Sequence, residues 1–327
     1  MDHWSRINAA IEGGKADRVP VALWRHFPVD DQDPGKLAAL TVQTQRDWDC
    51  DLVKFMPSGT YSVEDWGAKS VYEPSFNGAR KVAVPGVQQA GDWPRLPRLD
   101  PRRGMLGAQN EALARAAQEL GGAVPILQTV FSPLTTACKL GGGPLLEHLR
   151  GEPEALEAGL RIITDTTIAF ALAALEAGAH GLFFATQLAT TDMLTVSEYE
   201  RFGRRFDLEV FAAIKGKSRL NMLHLHGENV MFELLAAYPV EMINWHDRRT
   251  APSLRDALGK FKGALVGGVE ERGLLVSGPE AALRAQVRDA IGQTGGRRLV
   301  VGPGCGAALA VPEDNIRLII DETRSSL

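Results

Sequence analysis

Eight short runs of β-forming residues, each bounded by Gly, Pro or Asp, recur along this 327-residue chain, and their repetition restricts the fold more than any other feature. They are VPVALWR (19–25), DLVKFM (51–56), AVPILQTV (123–130), HGLFFAT (180–186), LNMLHLH (220–226), VEMINWH (240–246), KGALVGGV (262–269) and RLVVGPG (298–304). Between most of them lie amphipathic stretches long enough for helices. Strands joined through helices pair in parallel with right-handed crossovers, and eight such units close a sheet on itself. The pattern therefore predicts an α/β fold, a (β/α)8 TIM barrel. At about 150 residues per domain the length alone would suggest two domains; the barrel accounts for 1–327 as one.

Helix starts are marked physically. Ser197-Glu-Tyr-Glu200 and Ser277-Gly-Pro-Glu280 read as capping boxes, and Pro312-Glu-Asp-Asn315 opens the last helix with a proline and acids in its first turn. Residues 57–106 break the alternation. YEPSFNG, KVAVPG and WPRLPRLDPRRG read as a β-hairpin and a proline-punctuated surface connection inserted between the second and third strands, over one end of the barrel.

Charge narrows the partners. Thirty-six basic and 40 acidic residues leave a net charge of −4 with no basic block, so nothing draws the chain to nucleic acid. Three widely spaced cysteines, Cys50, Cys138 and Cys305, argue against a disulfide framework and for a reducing compartment. No apolar run of about 18 residues is unbroken and the first residues carry charges, so the expectation is a cytoplasmic protein without a membrane partner.

Catalytic groups in such a barrel come from the C-terminal ends of strands. Those ends carry Arg25, His26, Lys54, Gln128, Gln187, His224, His226, His246, Asp247, Glu270 and Cys305. The sharpest pattern is Leu223-His224-Leu225-His226: with a side-chain period of two, both imidazoles share one face and point to the barrel axis. Buried imidazoles need hydrogen-bond partners or an ion. A zinc ion accepts this pair, with Cys305 between glycines as third ligand and His246 or Glu270 available as fourth. The competing reading makes the histidines hydrogen-bonded core residues and Cys305 a small buried hydrophobe.

Arg25 after an apolar strand reads as a carboxylate or phosphate clamp, or else as the partner of Asp30 or Asp31. Lys54, inside an apolar run, must reach solvent, a carboxylate or a ligand. Lys139, His26 and Asp247 carry weaker signals, and Trp24, Trp66 and Trp245 read first as packing.

Together, Arg18-Val-Pro-Val, Leu23-Trp-Arg25, Phe131-Ser-Pro-Leu-Thr-Thr136, Ile243-Asn-Trp-His246, Gly267-Gly-Val-Glu270, Gly302-Pro-Gly-Cys-Gly306 and Pro312-Glu-Asp-Asn315 make the chain resemble the uroporphyrinogen decarboxylase superfamily over nearly its full length. The resemblance implies the same barrel. It departs from true decarboxylases where their charged groups stand: of an Arg-x-x-x-Arg element only Arg25 matches, because the second position is Val29. Their aspartate falls in Met56-Pro57-Ser58, their tyrosine on Lys139, and their Gly-His-Gly histidine on Cys305.

The sister branch, the zinc-dependent methylcobamide:thiol methyltransferases, is closer: its His-x-Cys and Pro-Gly-Cys-Gly elements match at His224 and Cys305, with His226 in place of the middle cysteine. That resemblance implies Zn²⁺ on His224, His226 and Cys305, a small methylated substrate or thiol, and methylcobalamin or another corrinoid on a separate protein, since no Asp-x-His-x-x-Gly segment is present. His226, Lys54 and Arg25 would serve catalysis, and Arg25, Lys54, Lys139, Gln187 and His246 would hold substrate. Exchanging thiolate for imidazole keeps a zinc-competent set and makes the ion more Lewis acidic. The alternatives are a metal-free decarboxylase-like lyase acting on a carboxylated small molecule, with a proton from His226 or Lys54, and a ligand- or corrinoid-partner-binding barrel without turnover.

Overall fold

A computed structural model describes residues 1–325. Seven parallel strands form its central sheet: β1 (Val53–Phe55), β4 (Ile126–Phe131), β5 (Gly181–Thr186), β6 (Met222–Leu225), β7 (Met242–Trp245), β8 (Ala264–Val269) and β9 (Leu299–Pro303), in that spatial order. A separate antiparallel pair, β2 (Lys69–Val71) and β3 (Lys81–Val84), forms a hairpin. The strands from β4 onward are buried throughout, because helices cover the sheet's outer face; hence the continuous apolar runs. The main core extends from Ile7 to Ile320. The architecture is α/β and barrel-like.

The run 19–25, expected as a full strand, makes only isolated bridges, Val21 to Val301 and Arg25 to Ala307. Pro20 offers a carbonyl to Val301 N at 2.9 Å but has no N–H to return, so a regular ladder cannot form. The segment still touches both edges of the sheet: Ala22 N donates to Val301 O at 2.9 Å, and Asp51 N, just before β1, donates to Val21 O at 2.7 Å.

Beside this seam lies Asp51, fully buried. Its carboxylate accepts from Arg18 Nη1 and Nη2 at 2.6 and 3.0 Å, Arg6 Nη1 at 3.2 Å, His3 Nδ1 at 3.0 Å and Val21 N at 3.0 Å. Burial pushes its pKa up, but the hydrogen bonds from His3, Arg18 and Val21 outweigh burial and hold it below the ordinary aspartate value.

Within 57–106, KSV (69–71) pairs with KVAV (81–84), and YEPSFNG is the loop between them. The proline-rich connection is fastened rather than loose. Trp93 is fully buried where Gly141 and Gly159 leave room for it, its Nε1 donates to His148 Nδ1 at 3.1 Å, and Leu99 N reaches Thr166 Oγ1 at 3.3 Å.

Two helix starts differ from the sequence expectation. The capping box is Thr195 with Glu198, two residues upstream of Ser197: Glu198 N donates to Thr195 Oγ1 at 3.2 Å and Thr195 N to Glu198 Oε2 at 2.8 Å. Ser277 ends one helix, and Pro279 precedes Glu280–Thr294 without a side-chain cap. Thr195→Ala is therefore expected to lower stability by about 1 kcal/mol, and Ser197→Ala by a few tenths at most, in urea unfolding.

The helix Pro153–Glu176 is long and apolar enough, by length and composition, to cross a membrane, although no unbroken apolar run marks it; half of its most apolar window is buried inside the fold. Leu156, Leu160, Ile163 and Phe170 face the core.

Candidate metal centre

Four donor groups meet at the C-terminal ends of the strands. His224 comes from β6, His226 from just past it, His246 from just past β7, and Cys305 from the turn after β9, and one ligand atom from each lies within 4.8 Å of all the others. His226 Nδ1 is 3.4 Å from His246 Nε2 and 3.7 Å from Cys305 Sγ. Zinc bonds of about 2.0–2.3 Å set tetrahedral donors roughly 3.3–3.8 Å apart. The two spacings from His226 match that range, and imidazole nitrogens with a thiol suit zinc by chemistry. Phe183 stacks on His224, with ring centroids 5.2 Å apart, and closes one wall.

The outer partners aim the donors. His224 Nδ1 lies 2.6 Å from Asn244 Oδ1, and Asn244 Nδ2 donates to Val266 O at 2.8 Å and Pro303 O at 3.0 Å. Thr186 Oγ1 donates to the His224 carbonyl at 3.0 Å. His246 Nδ1 lies 2.9 Å from Glu271 Oε1, which also accepts from Arg249 Nη2 at 2.9 Å; Arg249 Nη2 approaches His246 Nδ1 itself at 2.6 Å. A carboxylate cannot donate and a guanidinium cannot accept, so those two neighbours ask opposite tautomers of His246.

Electrostatics shifts the donors toward their ligating forms. Burial lowers the pKa of His224 against the pull of Cys305 and, with the cations Lys139, Arg249 and Arg272, brings His226 to about 4, so the His226 imidazole is neutral near pH 7. Burial raises the Cys305 thiol, but its hydrogen bond to His224 and the nearby charge of Lys54 outweigh it and leave the pKa below the usual thiol value.

Beside the cluster is a cavity of about 110 Å³, lined among others by Trp24, His26, Phe131, Phe183, Gln187 and three cations, Lys54, Lys139 and Arg80. Lys54 Nζ lies 4.2 Å from the Phe183 ring centroid and touches Met56 Sδ; burial lowers its pKa to about 7, against the pull of Cys305. Lys139 Nζ lies 4.5 Å from the Phe131 ring, and burial brings it to about 8. Among the described residues neither lysine has a carboxylate within ion-pair distance. His26 Nδ1 is buried there without a hydrogen-bond partner, and burial with the two lysines lowers the ring to about 3.

Two expected site residues stand elsewhere, and a third, His246, belongs to the donor cluster but not to the cavity. Arg25 points away from the cavity, pairing with Glu313 at 2.7 Å and covering Trp48, because its neighbours Trp24 and His26 take the inward face. Its partner is thus neither Asp30 nor Asp31. Glu270 is not in the donor cluster: its carboxylate accepts from Arg272 N, Gly273 N and Leu274 N at 2.6–3.0 Å, and Glu271 is the acid that turns inward. His246 is 1% exposed and lies behind His226, outside the cavity lining, which leaves it a donor rather than a substrate contact. Asn244, Glu271, Arg249 and Arg80 were not anticipated. Asn244 had a usable signal, since it stands two residues before His246 on β7, as His224 stands before His226.

A family model described as uroporphyrinogen decarboxylase (URO-D) matches residues 3–326. The methylcobamide:CoM methyltransferase MtaA of Methanosarcina barkeri (strain Fusaro) is 25% identical, the match covering 97% of this chain and 96% of that protein. The uroporphyrinogen decarboxylase of Mycolicibacterium vanbaalenii is 28% identical, over 89% and 87%. A solved methyltransferase from Methanosarcina mazei superposes with a TM-score of 0.87 at 22% identity, covering 99% of this chain and 98% of its own.

Proposed function

We propose, from the premise that this chain belongs to the uroporphyrinogen decarboxylase (URO-D) family, that it is a zinc-dependent methyltransferase moving a methyl group between a small methylated substrate or thiol and a corrinoid on a separate protein. The observation that carries the proposal is the convergence of three imidazoles and one thiol beside a cavity lined by two lysines that have no carboxylate partner among the described residues. The near-full-length likeness to a methylcobamide:CoM methyltransferase supports the choice of reaction. In this reading residues 1–327 form one (β/α)8 domain with 19–25 as its first strand, and the 57–106 insertion covers one end, its Asn77, Ala79 and Arg80 roofing the cavity. A reducing cytoplasm suits its three free cysteines.

His224, His226 and Cys305 would hold the ion, with His246 as fourth donor or neighbour. An ion held there would supply Lewis acidity, the chemistry that lowers the pKa of a bound thiol. The chain's own groups do the rest. Lys54 and Lys139 hold the anionic end of the substrate in a low-dielectric chamber, where each charge-assisted hydrogen bond contributes about 1.5–3 kcal/mol. Trp24, Phe131 and Phe183 exclude water, and Gln187 offers an amide to the substrate's polar end.

The test mixes purified protein with methylcobalamin and coenzyme M, the thiol in the name of its Methanosarcina relative. About one zinc per chain and thiol-dependent demethylation of the cobalamin, lost on chelation and restored by zinc, is the expected result. No methyl transfer from a zinc-loaded chain, or turnover of a carboxylated substrate by chelator-treated protein, overturns it. With that assay, Lys54→Met and Lys139→Met should each lower kcat/KM for the anionic thiol about ten- to a hundredfold, chiefly through KM. Arg25→Ala should leave KM within about twofold, because its guanidinium is committed to Glu313.

A further inference from the structure

We infer that Asn244 is a positioning residue that fixes the protonation pattern of His224 and so decides which of its nitrogens can bind a metal; the inference rests on the metal reading above. Two carbonyl oxygens, Val266 O at 2.8 Å and Pro303 O at 3.0 Å, surround Asn244 Nδ2. Only an amide nitrogen can face both, since a carbonyl oxygen turned toward them would leave all three acceptors without a donor. The amide orientation is thereby set, and Oδ1 must face His224 Nδ1 at 2.6 Å. An oxygen acceptor there requires the proton on Nδ1, which leaves Nε2 as the one ring nitrogen a metal can take. Both residues are buried, His224 at 4% and Asn244 at 0% exposure, so water does not substitute for the contact.

The arrangement is specific to His224. His246 faces a carboxylate and a guanidinium that ask opposite tautomers, and among the described residues His226 Nδ1 meets only its fellow donors His246 and Cys305. The two carbonyls that orient Asn244 belong to β8 and β9, so the tautomer of a β6 residue is dictated from across three neighbouring strands. Outer partners of this kind are commonly worth 10- to 100-fold in metal affinity.

The experiment compares the full chain with Asn244→Leu, which has similar bulk and no acceptor, and Asn244→Asp, which keeps an oxygen against Nδ1. Nitrogen-15 NMR of histidine-labelled, metal-free protein reads the tautomer directly, and competitive zinc titration reads affinity. The unaltered chain should show His224 protonated at Nδ1 and bare at Nε2. Asn244→Leu should lose that pattern and bind zinc about 10- to 100-fold more weakly, with Asn244→Asp recovering the pattern. A His224 proton on Nε2 in the unaltered chain, or equal zinc affinity and tautomer in Asn244→Leu, overturns the inference. If the unaltered chain binds no zinc yet shows the stated tautomer, the metal reading falls while the assignment to Asn244 stands; should Asn244→Leu not fold, the spectrum of the unaltered chain decides.

Discussion

Cys305→Ala protein is expected to bind zinc several hundredfold more weakly and to lose methyl-transfer activity, while its metal-free form unfolds close to the metal-free unaltered chain. The thiol contributes the sulfur of the donor set and lies on the turn after β9, so no other described cysteine can replace it: Cys50 and Cys138 are outside the cluster. Zinc binding to small protein sites is worth about 10–16 kcal/mol, so one of four donors accounts for roughly 3–4 kcal/mol, a loss of several hundredfold in affinity. Cys305 is not among the residues that form the main core, and a small side chain there leaves the packing of β9 intact. Elemental analysis and a thermal melt separate the two effects. Equal zinc affinity of Cys305→Ala and the unaltered chain in a competitive titration would end the proposal that this sulfur is a ligand.

The second large effect concerns folding. Asp51→Ala should cost about 3–5 kcal/mol, because it strands Arg18 and the Val21 N–H around a fully buried position, while Arg6 keeps its pair with Asp17. The damage falls on the seam where residues 19–25 meet both edge strands, so loss of hydrogen-exchange protection should concentrate at Ala22 and Val301, whose amides bond across it. The pH dependence has a definite sign. The folded-state pKa of Asp51 is depressed, so its contribution is fully present above the unfolded aspartate value of about 4 and is lost as pH falls through the lower folded value. Urea midpoints measured from pH 7 down to pH 3 should therefore fall less steeply in Asp51→Ala than in the unaltered chain. Equal slopes would show that Asp51 is not the anchor.

The fold was readable wherever burial on both faces of a strand writes a continuous apolar run, as in 123–130 and 262–269. It was unreadable where one proline breaks the ladder, and that same break hid the direction of Arg25: face alternates with every residue, and Trp24 and His26 take the inner one. Glu270 and Glu271 show the same sensitivity, since a shift of one residue past β8 turns one carboxylate into a cap and the other into the partner of His246. The capping signal slipped by two because Thr195 and Ser197 both stand near an acid at the right spacing, and only the backbone path distinguishes them. The His-x-His pair was legible from parity alone, and Asn244 would have been by the same rule. Arg80 and Arg249 arrive on loops whose paths depend on the finished tertiary structure, and no local pattern announces them.

The donor set is scattered along the chain in a way that matters during synthesis. Two imidazoles emerge from the ribosome together and a third follows twenty residues later, but the sulfur comes only with the final strand. On the metal reading proposed above, a chain that stops short of Cys305 lacks the sulfur, so the full donor set would come together only once the turn after β9 has been made.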